Sequence, residues 1–196
     1  MTTIRIILFI AILTVSFKAN SQRFIGGLMA GLSTSQINGD TQQGFDKLGF
    51  WGGSSVEIEF SELAGFKIEL YYVGKGAKKN SGGVEVFKTK LHYIEMPFLF
   101  TLKPTKKFEF DLGLTGSYLI SSTLYENSAE VPDGLNDMHN FDFGAMASGT
   151  YFFSKHIGLN VRIEYSLIPV SNDPNWYNYN FSFGMVYLFN RTKSGK

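Results

Sequence analysis

The sequence contains no cysteine. That excludes disulfides, thiolate zinc sites, a cysteine nucleophile and a lipid-modified cysteine anchor. It has little charge: Asp, Glu, Lys and Arg make up 18% of its 196 residues, and 18 bases against 17 acids leave a formal net charge of +1. A nearly neutral chain without a basic stripe is not a nucleic-acid binder. No apolar run is long enough for a transmembrane helix, which needs about 20 residues. No phosphate loop, nucleotide motif or metal motif is present, so no cofactor is expected. His92, His139 and His156 fall in a strand, a long connection and a short turn, and do not converge on one metal. What is abundant is aromatic side chain, with 19 Phe, 10 Tyr and 2 Trp, together with 21 Gly. Such a chain is too aromatic to be disordered, and its length predicts one domain.

The first segment reads as an export signal. Arg5 precedes the apolar residues 6–17, and the small residues Ala19-Asn20-Ser21 follow. Twelve apolar residues are too few to span a bilayer but suit a signal peptide with an A-x-A-like site. Cleavage is expected after Ser21, giving a signal peptide over 1–21 and a barrel domain over 22–196. Cleavage removes Arg5 and Lys18 and no acid, so the net charge becomes −1.

The rest alternates with a period of two, the mark of strands with one apolar face. In 176–189, Tyr177, Tyr179, Phe181, Phe183, Met185, Tyr187 and Phe189 form one row, and Asn178, Asn180, Ser182 and Gly184 lie on the other. Residues 157–167, 141–153 and 108–120 read the same way. Shorter or less regular strands are predicted at 91–103, 65–73, 48–60 and about 24–33, for a total of eight. Short connections (61–63, 104–106, 154–156) alternate with longer ones (34–47, 75–83, 125–140, 171–175), as in outer-membrane barrels. An even strand count places both termini at the short-turn, periplasmic end.

A soluble barrel would point its apolar row inward and expose a row rich in Lys and Glu. Here the polar row is mostly Gly, Ser, Thr and Asn, which suits a narrow filled lumen. Lys47, Lys75, Lys78, Lys79, Lys106 and Lys155 fall in connections. Rings gather near strand ends: Trp176, Tyr177 and Tyr72 at one end, Phe60, Phe108, Phe153 and Phe189 at the other, as in aromatic girdles. The fold expected is all-β, an eight-stranded antiparallel up-and-down transmembrane β-barrel.

Four segments carry a family likeness: FIGGLMAGLSTSQINGD at 24–40, LHYIEMPFLFTLKP at 91–104, FEFDLGLTGSYLIS at 108–121 and the run 141–171. With them the mature chain resembles the PorT family, or outer-membrane protein β-barrel domain, of Gram-negative envelopes. The Tyr93-Ile94-Glu95-Met96-Pro97 segment and Gly26-Gly27…Gly31 are its most specific pieces. The resemblance implies a small outer-membrane barrel, and its namesake is linked to protein secretion across that membrane.

The inner row collects Glu57, Glu59, Lys67, Glu69, Glu95, Glu109, Asp111, Arg162 and Glu164, expected as a structural network that plugs the lumen. Across the turn 61–63, Lys67 faces Glu57 in one register and Glu59 in the other, so a Lys67–Glu pair is expected. Pro97 removes a ladder donor and predicts a bulge or local kink, which makes Glu95 a candidate for a partner other than its cross-strand neighbour. The connections segregate charge. Lys75, Lys78 and Lys79 lie in 75–83 without an acid, and Glu126, Glu130, Asp133 and Asp137 lie in 125–140 without Lys or Arg.

Neither the lipid row nor the packed inner row is free to meet a soluble partner, so function is expected at the loops. The role read from the sequence is a non-enzymatic structural or accessory envelope protein. Its expected partners are outer-membrane lipid, including lipid phosphates, and an envelope or secretion-machinery protein, and the barrel is expected to be monomeric. Two alternatives are a narrow ion or solute channel and an outer-membrane lipid-modifying enzyme using His139 near Asp137 and Ser128.

Overall fold

The computed structural model describes residues 23–38, 47–81, 84–127, 129–132, 135, 138–172 and 175–191. The predicted signal segment 1–21 lies outside these. Among the described residues there is no helix, and ten strands follow in order: β1 (Arg23–Asn38), β2 (Lys47–Glu59), β3 (Ala64–Ser81), β4 (Val84–Leu102), β5 (Phe108–Glu126), β6 (Ala129–Val131), β7 (Phe141–Phe152), β8 (Ile157–Ser166), β9 (Ser171–Asn172) and β10 (Asn175–Leu188). Eight of them pair antiparallel in the order β1-β2-β3-β4-β5-β7-β8-β10, and β10 pairs back onto β1. The closing ladder runs from Gly27 opposite Leu188 to Asn38 opposite Tyr177. The sheet is an eight-stranded closed barrel, with β6 and β9 as short additions beside β5 and β10.

Closure is what a membrane demands. An open edge in hydrocarbon strands backbone donors and acceptors at several kcal/mol each, and a closed ladder leaves none. The period-two rows settle which face is which. Leu112 and Phe141 point outward, 67% and 69% exposed, while Trp51 and Tyr93 point inward at 0%. Phe60, Phe108, Phe153 and Phe189 form the outward ring at the short-turn end. At the loop end the ring comes from Tyr72 stacked on His92, Tyr118 against Phe141, and Tyr165 stacked on Tyr177. Trp176 is a correction to the sequence reading: its neighbour Asn178 is buried on the inner face, and Trp176 packs with Leu135 and Met138 against the buried apolar cluster.

The short turns share one chemistry. A hydroxyl accepts from the two backbone N–H groups that start the next strand: Ser61 from Leu63 and Ala64, Thr105 from Lys107 and Phe108, Ser154 from His156 and Ile157. Side-chain-to-backbone bonds of this kind fix tight turns.

At the other end the strands run further than their apolar rows. Most of the connection predicted at 75–83 is strand, because β3 continues to Ser81 and β4 begins at Val84. Backbone pairing needs no lipid-facing row, so the ladder outlives the alternation that revealed it. Gly76, at φ 137 and with Thr89 O only 2.0 Å from where a Cβ would sit, has to be glycine. In 125–140, β5 extends to Glu126, Asn127 turns with φ 50, and β6 folds back to pair Leu124 with Val131.

Pro97 does not bulge the ladder. The β3–β4 register is the same on both sides of it, from Ile68 opposite Phe98 to Tyr71 opposite Glu95, with no pairs between. The register shift lies between His92 and Tyr93 on the β5 side. A missing donor interrupts two rungs, and the strands beyond hold the register.

Candidate functional site

Two regions gather charged side chains: the lumen and the rim at the loop end. The lumen is lined by alternation from all eight barrel strands, and its charged side chains come from β2, β3, β4, β5, β7 and β8 and from Lys103. From the turn end upward, Lys103 Nζ lies 2.6 Å from Glu57 and 2.6 Å from Glu59. Lys103 sits just past β4. Burial lowers its tendency to hold a proton, but the Glu57 carboxylate and its hydrogen bond outweigh that and hold it above the ordinary lysine value. Next, Lys67 contacts Glu109 and lies 2.9 Å from Asp111, which also accepts from Thr101 and Ser148 at 2.7 Å each. Arg162 donates to Glu69 at 2.8 Å and to Asn160 at 2.9 Å, with its guanidinium 4.1 Å from the Trp51 ring centroid. Toward the loops, Lys75 Nζ lies 2.6 Å from Glu95 and 2.8 Å from Glu164. Above it Asp142 accepts from Ser166 at 2.7 Å and Asn178 at 3.0 Å.

The nine residues predicted for the inner row, Glu57, Glu59, Lys67, Glu69, Glu95, Glu109, Asp111, Arg162 and Glu164, all sit there, and the network includes others. Lys75 is the main correction. It was expected in an exposed loop but is 1% exposed, inside the barrel. Its register opposite Leu91 places it on the inner face, where Glu95 and Glu164 would otherwise be buried without a base. Lys47 likewise is buried in β2 rather than in a connection. Glu57 does stand opposite Lys67 in the ladder, yet the Lys67 ammonium reaches across to β5 and Glu57 takes Lys103 instead. Glu95 pairs with Lys75, four residues from its own ladder position, as well as accepting from its neighbour Ser117 at 3.2 Å. Asp142, Trp51, Tyr71 and Tyr93 were not expected from the sequence as members of the inner network. Their inward parity was legible, but a lone acid and rings in a polar row gave no sign of a network.

The result is eight carboxylates against the four bases Lys67, Lys75, Lys103 and Arg162, with Lys47 also buried, packed among fully buried Trp51, Tyr93, Leu91 and Leu99. Buried charges persist when paired and hydrogen-bonded, and side chains fill an eight-stranded lumen. At the loop end Leu135, Met138 and Trp176 cover the core, and Met138 bridges to Ser171. At the turn end Arg191 lies over the Phe152 ring at 3.5 Å and donates to Lys106 O.

The histidines remain apart. His92 Nδ1 lies 2.5 Å from Tyr72 Oη, His139 Nδ1 meets Pro169 O at 3.0 Å, and His156 Nδ1 meets Leu188 O at 2.7 Å. Among the described residues no group of three His, Asp or Glu could hold a metal ion.

At the rim, Lys78, Lys88 and Lys90 are half-buried and Glu126 and Glu130 exposed. Lys78 stands opposite Lys88, and Lys90 lies 4.5 Å from the Tyr125 ring centroid. Lys79 belongs to β3, and Glu130 to β6 rather than to a free loop. Asp133 and Asp137, with Ser128, lie outside the described residues.

A closed antiparallel barrel with a lipid-facing apolar wall, two aromatic rings and a plugged polar lumen defines a small outer-membrane β-barrel protein. The model of the outer membrane protein beta-barrel domain matches residues 13–172, and the chain belongs to that family. Its location is the outer membrane. No curated protein sequence matches it. Among solved structures, the attachment invasion locus protein Ail of Yersinia pestis is similar with a TM-score of 0.54 at 12% identity, over 84% of this chain and 98% of Ail. Neisserial surface protein A is similar with a TM-score of 0.54 at 14% identity, over 85% of this chain and 97% of that protein. At these identities the likeness is one of fold.

Proposed function

We propose that this protein is a non-enzymatic, PorT-like accessory of the envelope that acts through its loop-end rim on an envelope partner, in support of protein secretion. In this reading both termini lie in the periplasm and the rim faces outward. The observation that carries it is the division of labour in the barrel. The outer row is committed to lipid, and the inner bases Lys67, Lys75, Lys103 and Arg162 are each engaged by carboxylates. That leaves the rim, where Lys78, Lys88 and Lys90 and the acids Glu126 and Glu130 stand on strands extending beyond the apolar wall. Positioned loops on a rigid scaffold are where binding residues concentrate. Both ends of the described barrel, Arg23 beside Glu59 and Leu188 beside Gly27, lie on the side of the short turns, which supports the orientation.

The test is crosslinking in intact envelopes. Neutralising Lys78 and Lys88, or separately Glu126, Glu130, Asp133 and Asp137, leaves the barrel assembled and weakens crosslinking to the partner. Unchanged crosslinking in both variants, with loss of the cellular phenotype on substitution of Glu95 or Arg162 in a well-assembled barrel, would overturn the reading and move function into the lumen.

A further inference from the structure

The near neutrality of the chain is a sum of unlike parts. Its lumen holds more acid than base, so its outside carries more base than the total of 18 against 17 suggests. At the short-turn end that excess is concentrated. Lys106 and Lys107 are exposed on the β4–β5 turn, Lys155 is exposed on the β7–β8 turn, and Arg191 is half-buried just past β10. Glu62 is the one exposed acid of this end among the described residues. Two other bases here have carboxylates of their own: Lys103 is held by Glu57 and Glu59, and Arg23 lies 3.9 Å from Glu59.

The four bases are joined through the backbone. Phe152 N–H donates to Lys107 O at 2.8 Å, which ties the β7–β8 hairpin to the β4–β5 turn. Leu188 N–H donates to His156 O at 2.8 Å, which ties the end of β10 to the β7–β8 turn. Arg191 donates to Lys106 O at 3.1 Å, so the segment 189–191 passes from β10 to the β4–β5 turn beneath β8 and β7. Thr105 and Ser154 fix the turns that carry the lysines. The result is a preorganised platform, which lowers the ordering cost of binding.

The position of the platform selects its ligand. The Arg191 guanidinium lies 3.5 Å from the Phe152 ring centroid, and Phe152 faces the lumen. The basic patch therefore crosses the mouth of the barrel and does not only ring it. A lipid headgroup approaches a barrel from its circumference, whereas a soluble chain can lie across the mouth. The rings at this end, Phe60, Phe108, Phe153 and Phe189, face outward, so a sugar polymer has no stacking surface beneath the mouth. Lysine ammonium groups on separate turns suit separate carboxylates, which they meet as point charges.

We propose that the turn end is a second interaction surface that binds an acidic polypeptide segment of a periplasmic protein, with Lys106, Lys107 and Lys155 taking its carboxylates and Arg191 holding the centre of the platform. The periplasmic source rests on the orientation proposed above, and the surface itself does not.

The test uses the full chain folded in neutral-detergent micelles. Labelled oligoglutamate and labelled oligoglutamine of the same length are titrated by fluorescence anisotropy, with soluble peptidoglycan fragments and phosphatidylglycerol as competitors. The wild type binds oligoglutamate and not oligoglutamine, and added salt weakens the binding by screening exposed charges. The triple variant Lys106→Gln, Lys107→Gln, Lys155→Gln loses about tenfold in affinity, as expected for several exposed ion pairs. The triple Arg variant retains binding, and a heat-dependent gel shift confirms that each variant is folded. Equal binding of oligoglutamine, or undiminished binding by the folded Gln variant, overturns the site. Displacement of oligoglutamate at equal concentration by peptidoglycan fragments or by phosphatidylglycerol overturns the polypeptide assignment in favour of the cell wall or of lipid. Orientation is read separately. The chain has no cysteine, so Glu62→Cys provides a single thiol on the β2–β3 turn. A bulky polymer-linked maleimide labels it only after the outer membrane is opened. Labelling in intact cells overturns the periplasmic source and the proposed orientation together, while loss of oligoglutamate binding alone leaves the loop-rim reading standing.

Discussion

Lys75 and Lys78 are three residues apart on the same strand, and they do different things. Lys75 is sealed in the barrel between Glu95 and Glu164. Lys78 stands half-buried on the outward face opposite Lys88. Period two sends them to opposite faces, and height along the barrel puts one among carboxylates and the other at the membrane's edge. The comparison teaches that, in a barrel wall, the energetic meaning of a lysine is set by its facing row more than by its neighbours in the chain. Removing one member of a buried pair leaves an uncompensated charge, whereas an exposed pair contributes little because water already solvates both.

The sharpest way to break the comparison is Lys75→Met, which leaves Glu95 and Glu164 facing each other without their base. It is expected to destabilise the barrel by about 3–5 kcal/mol, read by urea unfolding in phospholipid vesicles. A loss below about 1 kcal/mol would show that the lumen is wetter than its packing implies. On the opposite face, Leu112→Arg places a cation in the exposed middle of the lipid row. It should cost about 2–4 kcal/mol in the same assay. A negligible cost in the vesicles would argue against a lipid-facing wall.

Smaller effects sharpen the contrast. Ser166→Ala deprives buried Asp142 of one donor while Asn178 remains. About 1–3 kcal/mol is expected, with the gel mobility of the folded form retained. Lys78→Gln, on the other side of the comparison, should change stability by no more than about 1 kcal/mol. Last, the purified wild type in planar bilayers is expected to give no porin-like conductance, since side chains fill a lumen of this strand number. Stable large openings would contradict the plugged column from Lys103 to Asp142.

Much of this architecture was legible in residue order. The long alternating rows at 108–120, 141–153, 157–167 and 176–189 gave strands and faces directly, because a half-buried sheet has no other way to satisfy two environments. The reading failed where alternation stopped carrying information. Beyond Val73 the strands leave the lipid, the outward row need no longer be apolar, and β3 reads as a polar connection although its backbone stays paired to Ser81. Lys75 was misplaced for that reason. The partners inside were hidden for another: ladder register places Lys67 opposite Glu57, but a long side chain in the lumen reaches past the neighbouring strand β4, and Glu109 and Asp111 on β5 are the groups it meets.

The sequence by itself determined the class of protein: a chain of eight alternating strands joined by short and long connections, with an apolar row that only lipid can satisfy. That information is local, because each residue's side of the sheet follows from its parity. Tertiary structure alone decided which acid holds which base, that Lys75 is an inner residue, that Trp176 turns inward to cover the lumen, and that Lys78, Lys88 and Lys90 share one outward face. Those facts depend on closure and stagger of the barrel, which bring together residues from strands far apart in the chain, and no period in the sequence records that distance.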